Sequence, residues 1–290
     1  MMSPDYPVYI ISKSRFDNPL TIISLSRLKI RFKVVIEPSE FSDYLQVVPK
    51  SNLLVLPEND YGCSIPARNF VFAHSVSLGA KRHWILDDNI SAFYRLNNNR
   101  KIKLATSTFF KCAEDFTDRY VNVALSGFNY DFFARARDPL PPFYLNTRIY
   151  SCILVNNSIP FRWRGKYNED TDLSLRCLKA GYCTILFNAF LQCKATTGSL
   201  SGGNTSTVYS SPDSRLKMAQ SLQKQHPDVV KIIYRFNRYQ HYVNYRVFRD
   251  KNVLQHCPGL FLKNRVDNYG MILKKFTGYP GEYKKHNKAT

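Results

Sequence analysis

The chain has 290 residues, 44% of them hydrophobic and 14% aromatic, with 41 Lys+Arg against 22 Asp+Glu for a net charge of +19. That length suits one large domain, or one domain with an extension, and the composition excludes low-complexity and repeat architectures. The charge points to a polyanionic partner, nucleic acid before an anionic membrane. Seven cysteines without a CxxC pair exclude a disulfide framework or zinc site, and no leader pattern or ~18-residue apolar run occurs, so a soluble cytoplasmic protein with no membrane association is expected.

Pro7–Ser12 (PVYIIS) reads as a strand, followed by the polar turn Lys13-Ser14-Arg15. Thr21–Leu28 suits a short helix. Phe32–Glu37 (FKVVIE) is a second strand ending on a carboxylate. Ser39–Gln46 reads as a helix with a Ser cap, and Asn52–Leu56 as a third strand. Ile65–Gly79 is an amphipathic helix stopped by glycine. His83–Leu86 is a short apolar run of the kind that makes a buried strand. Strands and helices alternating at this spacing indicate βα units and a mostly parallel, nucleotide-binding type of sheet.

The middle of the chain is more mixed. Ser107–Tyr120 is helical, Val121–Leu125 is an apolar run ending at Ser126-Gly127, and Pro139–Pro142 is a loop. Arg148–Val155 is β-rich, Leu173–Ala180 is helical up to Gly181, and Tyr182–Phe187 is a strand. Thr196–Thr207 is a Gly/Ser/Thr loop, and Pro212 opens a helix to about Gln225 behind a Ser211 cap. Val229–Phe248 interleaves aromatics with arginines. From Ser206 onward there are 16 Lys+Arg and 5 Asp+Glu, so the tail is the more basic part.

Two acidic clusters carry the chemistry. The buried run stops on Asp87-Asp88-Asn89. Adjacent carboxylates there repel each other and are costly to desolvate unless a cation joins them, and Mn²⁺ or Mg²⁺ prefers such oxygen ligands. The alternative is that they cap a following helix. Some eighty residues later, Glu169-Asp170-x-Asp172 opens a helix. Acids in a first turn are ordinary helix chemistry, but one aimed into a pocket is a general base. The helix N-terminus is expected to lower the pKa of Asp170. Arg68 and Asn69, early in their helix, suit the phosphates of a nucleotide.

Five segments in order, PVYIISKSR, IPARN, G-x-x-x-HWILDDNI, W-x-GKYNEDTDLSLRCLKAGY and K-x-TT followed by SGG, resemble the glycosyltransferases associated with TET/JBP DNA-base oxygenases. That family is found in bacteriophages and is related to a degenerate domain of eukaryotic GREB-type proteins; the resemblance runs from about Pro7 to Phe248. It implies a GT-A-like α/β fold, a Rossmann-like mixed, mostly parallel sheet flanked by helices. Residues 1–205 would form the catalytic domain. Residues 206–290, basic and aromatic-rich, would complete the fold and contact DNA.

The resemblance also implies roles. Asp87, Asp88 and Asn89 take the place of a DxD metal motif, with Asn where a third acid is usual, and a late histidine, His226 or preferably His241, completes a Mn²⁺ or Mg²⁺ site. Ser12, Arg15 and Glu37 hold the base and ribose of a nucleotide-sugar donor, UDP-glucose first. Arg68, Asn69 and Asp87 meet its phosphates, and Lys194, Gly202 and Gly203 belong to a closing loop. Asp170, with Glu169, is the general base if the anomeric centre inverts. The acceptor is a 5-hydroxymethylpyrimidine in DNA, 5-hydroxymethylcytosine first, and a phage-encoded enzyme would work in the host cytoplasm. Arg235, Arg238, Tyr239, Tyr242 and Arg246 are the expected DNA contacts, through phosphates and stacking on a flipped base. Two other readings stand beside this one: a GT-A transferase for a glycan, lipid or protein, which explains the acids but not the charge, and a non-catalytic DNA-binding module, which does the reverse.

Overall fold

The computed structural model describes residues 2–59, 62–195, 202 and 213–258. Its first half alternates as the sequence predicts: β1 (Val8–Ile11), α1 (Leu20–Arg27), β2 (Lys33–Ile36), a 3₁₀ turn running into α2 (Phe41–Tyr44), β3 (Leu53–Val55), α3 (Ile65–Ser77) and β4 (Arg82–Asp87). The chain continues through the hairpin β5 (Ile90–Asn97) and β6 (Arg100–Lys103), α4 (Thr108–Thr117), β7 (Val123–Tyr130), β8 (Phe143–Leu145), β9 (Cys152–Asn156), α5 (Glu169–Lys179) and β10 (Cys183–Lys194). After α6 (Ser214–Gln225) a second hairpin, β11 (Val230–Tyr234) and β12 (Tyr239–Val243), forms its own two-stranded sheet.

The main sheet has ten strands in the order β3-β2-β1-β4-β9-β7-β10-β5-β6, with β8 also on β10. From β3 to β10 every strand but β9 points the same way, so this is the mixed, mostly parallel α/β sheet expected. Side chains alternate across it because the strand period is two. Val8, Ile10, Trp84 and Leu86 face a core shared with α1 and α4, whereas Tyr9, Val35 and Ile85 face α3 and α5. Trp84 is fully buried, and its indole N–H donates to Glu114 Oε1 at 2.8 Å, which satisfies its one polar atom. Residues 213–258 do not fold apart from the rest. Leu222, Val229, Val230, Val243 and Phe248 pack on Leu175 and Leu178 of α5. No helix among the described residues is long and apolar enough to cross a membrane.

Four departures from the sequence reading bear on the site. No helix follows Asp87; Asp88 and Asn89 form the two-residue turn into β5, so neither caps a helix. The strand expected to end at Gly127 runs on to Tyr130, because Gly127 leaves room for β9: a Cβ there would collide with the carbonyl oxygen of Cys152. The run 148–155 is a strand only from Cys152. Before it the chain bends, with Ser151 at φ 65°, and turns Arg148, Tyr150 and Ser151 towards the strand ends. Finally β10 continues past Phe187 through a register shift to Lys194, carrying that lysine back to β4.

Candidate functional site

The chain leaves β1 on one side for β2 and β3, then returns to its other side as β4. Such a reversal opens a crevice beyond the carboxyl ends of the two strands, where open α/β sheets bind ligands. A cleft of about 520 Å³ lies there, within the usual size for a small-molecule site. Its floor comes from the turn after β1 (Ser12, Lys13, Arg15), the end of β4 (Asp87, Asp88, Asn89), α3 (Ala67, Arg68) and the first turn of α5 (Glu169, Asp170). Its upper wall comes from Tyr130, Phe133, Arg148, Tyr150 and, from β12, Tyr239, Gln240 and His241.

Arg68 organises the floor. Buried residues of α3 recur at 65, 68, 72 and 75, so the helix turns this guanidinium inward, where it lies 4.6 Å over the ring of Trp163. It pairs with Asp87 at 3.2 Å, Asp170 at 3.4 Å and Glu169 at 3.5 Å. Lys194 Nζ donates to Asp87 Oδ2 at 2.6 Å and to Ser151 Oγ at 2.8 Å. Arg15 pairs with Asp88, whose other oxygen accepts from Ser12 Oγ at 3.1 Å. Ser12 Oγ also bonds Tyr44 Oη at 2.5 Å. Glu37, at the end of β2, is held by Lys13 at 2.7 Å.

The carboxyls titrate differently because their surroundings differ. Burial pushes Asp87 up, but Lys194 and Arg68 outweigh it and hold the group at about 2. Burial prevails at Asp88, which rises to about 6 despite Arg15. It prevails more strongly at Asp170, raised to about 7 against the pull of Arg68. The helix N-terminus therefore does not lower the pKa of Asp170 as expected, since the cost of desolvating a charge exceeds the few tenths to one kcal/mol of a helix terminus. One buried carboxyl stays ionised and its neighbour sits near neutrality, a pairing that suits one group to electrostatic work and the other to moving a proton.

The expected divalent cation does not fit this arrangement. Both oxygens of Asp87 and both of Asp88 are engaged by Arg68, Lys194, Arg15 and Ser12. In that triplet only Asn89 Oδ1 is a buried oxygen with no partner, and one neutral carbonyl is a poor substitute for two carboxylates. His241 reaches the same cleft from β12, but it is not gathered with the acids. Burial and Arg148 lower its pKa to about 4. His226 is bonded elsewhere, to Asp172 at 2.8 Å. Among the described residues no three of His, Cys, Asp and Glu come together as a metal site. The cations that line the cleft, Lys13, Arg15, Arg68, Arg148, Lys166, Lys194 and Arg215, outnumber its five carboxylates, so its balance favours an anionic ligand.

Most of the expected site residues meet here: Ser12, Arg15, Glu37, Arg68, Asp87, Asp88, Asn89, Glu169, Asp170, Lys194, Tyr239 and His241 all line the cleft. Gly202 lies beside it, at φ 79°, its carbonyl accepting from Arg15 at 3.4 Å; Gly203 is outside the described residues. Asn69 departs from its expected role. Its amide clasps the backbone of Trp163, donating to the carbonyl at 3.0 Å and accepting from the N–H at 2.9 Å, so it positions the loop before α5 instead of lining the cleft. Asp172 points away, into a buried cluster with His226, Arg176 and Arg164. Arg235, Arg238, Tyr242 and Arg246 are exposed on and after the second hairpin. Sequence reasoning missed Tyr130, Phe133, Arg148, Tyr150, Ser151 and Arg215, which carry no motif and are assembled by the bend before β9 and the ends of distant elements, and it gave no role to Lys166, although that lysine lies inside the W-x-GKYNED segment.

A family model described as TET-Associated Glycosyltransferase matches residues 6–203. No curated protein matches the chain. Solved structures similar to it include the inositol-1-phosphate CTP transferase from T. maritima, at 10% identity over 67% of this chain and 91% of that one, TM-score 0.36. Mannose-1-phosphate geranyltransferase from Thermus thermophilus matches at 12% identity over 67% and 58%, TM-score 0.30. Mannose-6-phosphate isomerase from Helicobacter pylori matches at 10% over 88% and 94%, TM-score 0.28. Likenesses this slight carry no argument about activity.

Proposed function

The chain belongs to the TET-associated glycosyltransferase family, and on that premise we propose that it moves a sugar from a nucleotide-sugar donor, UDP-glucose foremost, onto the hydroxymethyl group of a 5-hydroxymethylpyrimidine in DNA, 5-hydroxymethylcytosine foremost. The observation that carries this reading is that one cleft has two dissimilar walls. Its floor presents Lys13, Arg15 and Lys194 beside carboxylates, which suits a diphosphate and a reacting hydroxyl. Its upper wall includes Tyr130, Tyr150 and, from the second hairpin, Tyr239, and the exposed Arg235 and Arg238 lie close by in the chain, which suits an unstacked base and its flanking phosphates.

In this reading the diphosphate lies against Lys194, Arg15 and Lys13, while Ser12 and Glu37 meet the ribose and base. The acceptor oxygen forms a bond to the anomeric carbon, and the bond from that carbon to the donor phosphate breaks with its electron pair staying on the phosphate oxygen. The hydroxyl proton passes to Asp170, and the cationic floor stabilises the charge left on the diphosphate. Transfer of radiolabelled sugar from UDP-glucose to DNA bearing 5-hydroxymethylcytosine, 5-hydroxymethyluracil or neither tests the reading. Label in hydroxymethylated DNA alone is expected. UDP binding with no label in any DNA would redirect the search to another acceptor, and no UDP binding would refute the donor assignment.

A further inference from the structure

The second hairpin turns through an unusual pair of residues. Tyr234 and Tyr239 close the ladder, the Arg235 N–H donates to Arg238 O at 3.0 Å, and Phe236 and Asn237 span the tip at φ 55° and 54°. A two-residue turn of this hand needs φ above zero at both positions, which Gly and Asn supply readily. Asn237 fits. Phe236 does not, because its β-carbon crowds the backbone there. The residue is also 72% exposed, the most of any large apolar residue among those described, with the guanidinium of Arg235 at 4.8 Å over one face of its ring. The fold thus gains only the Arg235 contact from an aromatic held in a strained turn and pushed into water. Strain of that kind marks function more often than accident.

Three features say what the ring meets. Arg235 and Arg238 flank it, and both are exposed. Tyr239, three residues on, lines the cleft and packs edge-on against Tyr234 at 5.1 Å. Three residues reach at most about 10 Å even when extended, and here they fold through the turn, so the tip lies within that distance of Tyr239 at the cleft. The exposed aromatics of the hairpin, Tyr234, Phe236, Tyr239 and Tyr242, stand among exposed arginines, which favours a polyanionic partner, and the one ring at the tip matches the gap between two base pairs.

We propose that the tip is a wedge for duplex DNA. Phe236 enters the base stack at the place vacated by the target nucleotide, Arg235 and Arg238 hold the phosphates on either side, and the extruded base passes Tyr239 into the cleft. The proposal rests on the DNA acceptor of the preceding section and adds how a base inside a duplex reaches the floor.

The test uses the full chain and one oligonucleotide with a single 5-hydroxymethylcytosine beside 2-aminopurine, offered single-stranded and as a duplex. Phe236→Gly suits the turn's backbone and should melt no lower than wild type. Phe236→Trp keeps an aromatic wedge. Wild type and Phe236→Trp should raise 2-aminopurine fluorescence in the duplex, and Phe236→Gly should not. The ratio of transfer rates, duplex to single strand, should fall about 10–100-fold in Phe236→Gly, the worth of one stacked base. A ratio unmoved by the substitution, or equal losses on both forms, overturns the wedge; loss of co-sedimentation with phosphatidylserine vesicles in that variant would then assign the tip to a membrane. Wild-type transfer to the single strand alone overturns the wedge and leaves the acceptor standing, whereas transfer to neither form overturns both.

Discussion

Asp170→Asn separates a proton acceptor from a binding group. The substitution keeps the shape of the side chain and removes its basicity. The wild-type carboxyl lies 3.4 Å from Arg68, and burial raises it from 3.8 to about 7. A base of that pKa is half ionised near neutrality, so kcat/KM should climb about tenfold per pH unit below 7 and level off above it. The variant should lose that limb together with about 10²–10⁴ of the single-turnover rate, or ~2.7–5.5 kcal/mol of barrier. Stability should move the other way. An acid whose folded pKa is raised favours its neutral form, and that contribution, present at low pH, is lost as pH rises from about 4 to about 7. The rise corresponds to on the order of 4 kcal/mol as an upper bound. At pH 8 the neutral amide should therefore melt no lower than wild type. The assays are initial rates at subsaturating DNA from about pH 5.5 to 8.5 for kcat/KM, rapid-quench transfer with saturating donor and DNA for the single-turnover rate, and thermal melting at about pH 8. A variant that turns over bound substrate within about threefold of wild type, or a wild-type profile flat from pH 6 to 8, would show that Asp170 is not the base.

Four further outcomes follow from the same geometry. UDP should bind equally in EDTA and in Mn²⁺ by calorimetry, to within about twofold, since Asp87 and Asp88 are engaged by protein donors; a gain of about tenfold or more with Mn²⁺ would return an ion to the site. Asp172 is fully buried and accepts from His226, Arg176 and Arg164, so Asp172→Ala should cost ~3–5 kcal/mol in urea melts. Burial opposes but the bonds from His226 and Arg164 hold that carboxyl at about 2, so the cluster's contribution should be whole above pH 4 and fade from about 4 to about 2. Arg235→Glu with Arg238→Glu should weaken binding to every DNA alike and flatten the plot of log K against log salt by about 2 in slope; unchanged affinity at 50 mM salt would move the DNA surface elsewhere. Gly202→Ala would drive a Cβ into the carbonyl oxygen of Ser14 in a backbone of φ 79°, so it should weaken UDP binding about tenfold with little change in melting temperature.

The alternating first half was legible because its elements obey local rules. Apolar runs such as Phe32–Glu37 and His83–Leu86 have the length of buried strands, and Ile65–Gly79 has a helical period with a glycine stop. The same rules put Asp87, Asp88, Arg68 and Asp170 at element ends, where parallel strands bring them together. What the sequence by itself determined was therefore the fold class, the half of the sheet that holds the crevice and most of its charged lining. Its limits appear wherever a partner distant in the chain decides. Gly127 reads as a strand end and is a strand interior, because its value lies in the approach of Cys152 from β9. Asp87 reads as a metal ligand, and only the long run of β10 shows Lys194 lying against it instead. The pKa of Asp170 reads as lowered by its helix and is raised by burial, since desolvation sums over every neighbour whereas a helix terminus acts within one turn. Charge partners, burial and close approach are properties of three-dimensional neighbourhoods, so only the tertiary structure could decide them.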